Sequence, residues 1–213
     1  MLPVGLAFPL AALAVGGIAG AFLVTPAQHA VKGPVRFGRA IRLLAAVVAA
    51  ALFAVVAWRL EAEPSALPVL LLVAAGVVLS LVDLAEKRLP NRVLGVAAIV
   101  VGAGLLVAVV VEGDWGRLLP AALGAVALFA IYFVLALLSP RGLGMGDVKL
   151  SALLGLVLGW FGWDTWLIGL VAGFLAGAVV SLIALALRRV TRTSLLPFGP
   201  SMLVGALLAI VLG

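Results

Sequence analysis

Residues 118–138 read LLPAALGAVALFAIYFVLALL, an uncharged apolar run, after which the chain turns through SPRGLGMGDVKL at 139–150. A hydrocarbon core needs about 20 apolar residues in helical form to cross it, so the first stretch predicts a transmembrane helix. The second delivers an aspartate, Asp147, to the start of the next apolar run. Outward from this pair, further runs bounded by charge, Pro or Gly fall near 3–24, 40–58, 66–84, 93–111, 148–161, 165–187 and 196–212. The pattern predicts an all-α, polytopic transmembrane helix bundle of about eight spans, with a sixth helix short enough to be tilted or partly embedded.

Composition agrees with a lipid solvent. The chain of 213 residues is 66% hydrophobic and 10% charged, against roughly half and a quarter in soluble domains. Cysteine is absent, which excludes disulfides, Cys-ligated zinc and thiol nucleophiles. His29 is the sole histidine, and one histidine builds no metal site. No metal and no cofactor are therefore expected. The first segment lacks a basic n-region and is expected to remain as a spanning helix rather than a cleaved signal.

The formal charge of +6 would suggest nucleic acid in a soluble protein, but here the basic residues lie between spans and report topology instead. With alternating loops, Lys32, Arg36, Arg39, Arg42, Lys87, Arg88, Arg92, Arg141, Lys149, Arg188, Arg189 and Arg192 share one side, and only Arg59 and Arg117 lie opposite. The crowded side is then cytoplasmic and both termini are outside. No internal repeat or long linker is evident. The expected organisation is two N-terminal helices with a short basic cytoplasmic loop over 1–65, and a six-helix core over 66–213.

Most acidic residues fall in the outer loops, leaving Asp83, Glu86 and Asp147 on the basic side. Asp83 closes the third run and Asp147 opens the sixth, which predicts two carboxylates at one depth. A pair of this kind shares a proton, so that one member activates water while the other protonates a carbonyl. Gly144 and Gly146 precede Asp147 and are expected to permit close approach and unusual dihedrals beside a substrate strand. The helix N-terminus favours an anion at Asp147, giving it the base role. Each aspartate also has a plainer reading, Asp147 as a helix N-cap and Asp83 as the partner of Lys87 one turn on. Lys149 either biases the pair or attracts a substrate carboxylate, or it merely marks topology.

Three motifs in order carry a family resemblance. Asp83-Leu84-Ala85-Glu86-Lys87-Arg88-Leu89-Pro90-Asn91, Gly144-Met145-Gly146-Asp147-Val148-Lys149-Leu150 and Pro197-Phe198-Gly199-Pro200 together resemble the prepilin peptidases, membrane aspartic proteases of the GxGD type. The resemblance spans residues 66–212. It implies that Asp83 and Asp147 are catalytic, that Pro197 and Gly199 shape the site, and that the substrate is a type IV prepilin or pseudopilin. The basic leader would be cut at the cytoplasmic face of the inner membrane, among membrane lipid and with no nucleic acid. Larger members resemble a fusion with a Cys-rich region that accompanies N-methylation, and no methyltransferase activity is expected here. Glu86 stands where the family often has a small polar residue, adding a carboxylate that either perturbs the pair or meets arginines.

Two rivals stand beside this reading. A small transporter or non-catalytic assembly subunit would use intramembrane aspartates to hold a proton or cation. A presenilin-like protease would carry Tyr before its first aspartate, where this chain has Val82.

Overall fold

The computed structural model describes residues 4–139, 143–187 and 196–213. Arg141, Arg188, Arg189 and Arg192, on which part of the charge asymmetry rests, lie outside the described residues. The architecture is all-α. Eight helices follow in order: α1 (Val4–Ala30), α2 (Arg39–Leu60), α3 (Ala66–Glu86), α4 (Asn91–Glu112), α5 (Leu118–Leu138), α6 (Met145–Trp160), α7 (Trp163–Ala186) and α8 (Gly199–Leu212). A 3-10 turn, Trp115–Arg117, leads into α5.

Six of these helices are long and apolar enough to cross a membrane. The expected short sixth helix has 16 residues, about 24 Å at 1.5 Å per residue. The eighth, read as a full span, is also short at 14 residues, because Pro197 and Pro200 bracket its start and residues before Gly199 do not join it. Conversely α1 does not stop near residue 24 but continues through Pro26 to Ala30. Gln28 then ties down the following loop, its side-chain amide donating to the Val35 carbonyl at 2.8 Å and accepting from the Phe37 N–H at 2.7 Å. The outward faces are apolar, with Phe22, Ile99 and Leu138 among many large side chains left exposed. That pattern suits hydrocarbon and would be an aggregation hazard in water.

The chain falls into two units, one comprising residues 1–86 and 90–114, the other 87–89 and 115–213. In the first, α3 packs against α1, α2 and α4. Gly16 and Gly20 let α1 lie on the backbone of α2, where an added Cβ would come within 2.5 Å of the Ala45 carbonyl oxygen at Gly20. Lipid gives no hydrophobic drive between helices, so such small-residue contacts carry the packing. In the second unit, α6 is the buried element, held by α5, α7 and α8. Gly162, at φ 108°, turns α6 into α7 within two residues, a conformation that L side chains rarely adopt.

Candidate active site

Asp83 lies in the last turn of α3, 4% exposed, beside the fully buried Val82 and Leu79. Three residues on, α3 ends where Lys87 takes a left-handed conformation, φ 52°. Pro90 then caps α4 in extended geometry, φ −67° and ψ 128°, with its carbonyl accepting from the Leu94 N–H at 3.1 Å. Glu86 does something the sequence did not suggest. Its Oε1 accepts the backbone N–H groups of Lys32 and Gly33 at 2.5 and 2.6 Å. The extra carboxylate of the first motif is thus the anchor of the α1–α2 loop, and hydrogen bonds to a charged acceptor are among the stronger ones.

In the second unit, Asp147 is the third residue of α6 and not its N-cap. Gly144 holds the cap position, and its N–H donates to Asp147 Oδ2 at 3.1 Å while its carbonyl accepts from the Asp147 N–H at 3.0 Å. The carboxylate therefore sits half-buried in the first turn, where the helix dipole favours an anion. Lys149, two residues on, is exposed.

The two glycines work differently from expectation. Gly144 has ordinary extended dihedrals, φ −83° and ψ 152°, and Gly146 lies inside α6, so neither supplies an unusual conformation. Gly146 is required by a neighbour within the chain, because an added Cβ would lie 2.8 Å from Leu89 Cβ and 3.3 Å from Leu89 N. Leu89 is the buried residue of the Leu-Pro-Asn turn, so this close approach joins two of the motifs.

Register along α5 and α6 brings a further residue to this point. An added Cβ at Gly159 would strike the Pro120 carbonyl, and Gly155 and Gly124 would strike each other's carbonyls. Next comes Ser151, whose hydroxyl donates to the Val148 carbonyl at 2.7 Å and lies 3.3 Å from that of Leu128. Each step of one turn back along α6 is matched by one turn forward along α5, as i and i+4 share a helix face. The next step places Tyr132 level with Asp147. Tyr132 is the chain's sole tyrosine and is 2% exposed.

The third motif meets the same residue. Phe198 precedes α8, its carbonyl accepting from Ser201 and Met202 N–H at 3.0 and 3.2 Å. Its ring lies 6.3 Å from Tyr132 and 5.8 Å from Phe174, which stacks on Tyr132 at 5.4 Å. Gly177 makes room for the Phe198 ring. Pro197 is half-buried and Gly199 buried, but the side chain that binds this motif into the unit is Phe198. Within the second unit the structure thus gathers Asp147, Gly146, Leu89, Tyr132 and Phe198, while Asp83 and Glu86 belong to the first. Tyr132 and Phe198 look like core residues in the sequence; the usable signal was a lone tyrosine in an uncharged span, since a buried phenol normally needs a partner.

The model of the type IV leader peptidase family matches residues 70–185. The chain is 34% identical over 177 residues to the prepilin leader peptidase/N-methyltransferase of Pseudomonas putida, covering 80% of this chain and 58% of that protein. Proteins of the same name from Aeromonas salmonicida and Bacillus subtilis are 31% and 29% identical, over 80% and 79% of this chain and 57% and 65% of theirs. The chain spans just over half the length of the Pseudomonas and Aeromonas proteins. No solved structure gives a significant match.

Proposed function

Since the chain belongs to the type IV leader peptidase family, we propose that it is a membrane-embedded aspartic endopeptidase that removes the leader of a type IV prepilin or pseudopilin. The carrying observation is the intact Gly-Met-Gly-Asp turn, with Asp147 fixed by Gly144 in the first turn of α6, inside the matched segment. Asp83, buried at the end of α3, is its proposed partner, and residues 66–213 form the proposed catalytic core. The proposal covers only the peptidase half of the relatives' name.

In the proposed reaction Asp147 is ionised and Asp83 carries the shared proton, the division that two neighbouring carboxyls adopt. Asp147 takes a proton from water as its oxygen adds to the scissile carbonyl carbon, and Asp83 gives its proton to the carbonyl oxygen. The tetrahedral intermediate collapses when the amide nitrogen receives the proton held by Asp147. The C–N bond breaks and the amine departs, while one hydroxyl of the gem-diol returns its proton to Asp83 and becomes the carbonyl of the new carboxyl group. No metal or thiol is needed. Lys149 and the basic loops set orientation, placing the site at the cytoplasmic face of the plasma membrane and both termini outside.

Co-expression with a prepilin tests this by the size of the pilin band. Wild type is expected to process it, and Asp83→Asn and Asp147→Asn are expected to leave it uncut; processing by both variants would rule the pair out. Because the chain has no cysteine, the Asp83→Cys/Asp147→Cys variant can be cross-linked without background. A short bifunctional thiol reagent is expected to bridge it.

A further inference from the structure

We propose that Tyr132 is the positioning residue for Asp147, its phenol orienting the carboxylate directly or through one water and linking it to the Pro197–Pro200 turn. The inference rests on the peptidase reading and adds a residue that none of the three motifs contains. Helix register carries it: the contacts of Gly159, Gly155 and Ser151 on α6 with Pro120, Gly124 and Leu128 on α5 continue to Asp147 and Tyr132.

The surroundings of the phenol fix where its oxygen goes. Stacking on Phe174 at 5.4 Å and contact with Phe198 at 6.3 Å hold the ring on one side, and a Cβ added at Gly173 would lie 3.9 Å from the hydroxyl, in ordinary contact. A phenol buried among apolar helices is costly without a polar partner. At the same level stands a carboxylate whose Oδ2 accepts the Gly144 N–H. A carboxylate has about four acceptor sites and can take a second donor.

The same ring transmits the third motif. Phe198 meets the site through its ring contacts with Tyr132 and Phe174. This assigns the Pro-Phe-Gly-Pro segment a packing function: it clamps the tyrosine that orients the acid.

Two readouts separate positioning from mere core packing. Tyr132→Phe keeps the ring and loses the hydroxyl; in a detergent-solubilised prepilin cleavage assay its kcat is expected to fall about 10- to 100-fold, the scale set by a misplaced catalytic group, with KM within about twofold of wild type. Wild-type kcat in this variant overturns the proposal. Independently of activity, tyrosine labelled with 13C at Cζ gives one resonance, because Tyr132 is the sole tyrosine. It is expected to move on Asp147→Asn and stay put on Asp164→Asn. A resonance insensitive to Asp147→Asn overturns the proposal whatever the kinetics show, and decides it if Tyr132→Phe does not fold. If wild type cuts no prepilin, the peptidase reading fails, and the resonance still reports whether Tyr132 and Asp147 interact.

Discussion

Replacing Gly146 by alanine is the smallest change that tests how the second motif is held. The new Cβ would sit 2.8 Å from Leu89 Cβ and 3.3 Å from Leu89 N, where carbon pairs are at rest about 3.5–4.0 Å apart. The shortfall is roughly 1 Å, and both obstructing atoms are fixed to the backbone, so no rotamer change relieves it. Overpacking of this kind costs about 1–3 kcal/mol, and a shift near 1 Å beside a catalytic group costs about 100-fold in rate. Gly146→Ala is thus expected to lose about two orders of magnitude in kcat for prepilin cleavage, with a modest fall in the melting midpoint in detergent. The second position supplies the control. Leu89→Ala keeps the offending Cβ and gives no relief, whereas in a Leu89→Gly background the added cost of Gly146→Ala is expected to shrink. Equal costs in the two backgrounds, or wild-type turnover in Gly146→Ala, would refute the contact as the reason for that glycine.

Glu86→Ala removes an acceptor that holds two backbone N–H groups and is expected to cost about 2–3 kcal/mol and expose the loop after α1 to protease. Glu86→Gln keeps an acceptor oxygen and is expected to lose far less; equal sensitivity of the two variants would show that the loop is held some other way. Gly155→Leu drives a side chain into the Gly124 carbonyl, where the α5–α6 backbone contact leaves no room, and is expected to abolish folding as judged by detergent size-exclusion. Trp166→Phe, which removes the 3.0 Å bond from Nε1 to the Gly124 carbonyl together with part of a buried ring, is expected to lower stability by about 1–3 kcal/mol and leave the fold intact.

The helices were legible because a 21-residue uncharged run such as 118–138 has few alternatives in lipid. Their ends were less so: α1 runs through Pro26 to Ala30 because proline in a membrane helix can be accommodated by its neighbours, and no local pattern announces that. The aspartates stood out because charge in an apolar chain is conspicuous. Tyr132 did not, since its place opposite Asp147 depends on how two glycine faces mesh. Glu86 was visible as a charge, but its partners are backbone amides 53 and 54 positions earlier, and backbone groups carry no sequence signature. Gly146 was flagged for the right property, close approach, but the approaching atom belongs to Leu89.

The brevity of α6 has a consequence for solvent. At about 24 Å it falls short of a hydrocarbon core of about 30 Å, and α6 is enclosed by its neighbours, so the surrounding lipid cannot thin to meet it. Irregular backbone at membrane depth is tolerated where protein or water satisfies it, and the glycine turn before Asp147 is half open. The shortfall then predicts that water reaches the Asp147 end of α6, where the proposed mechanism needs it.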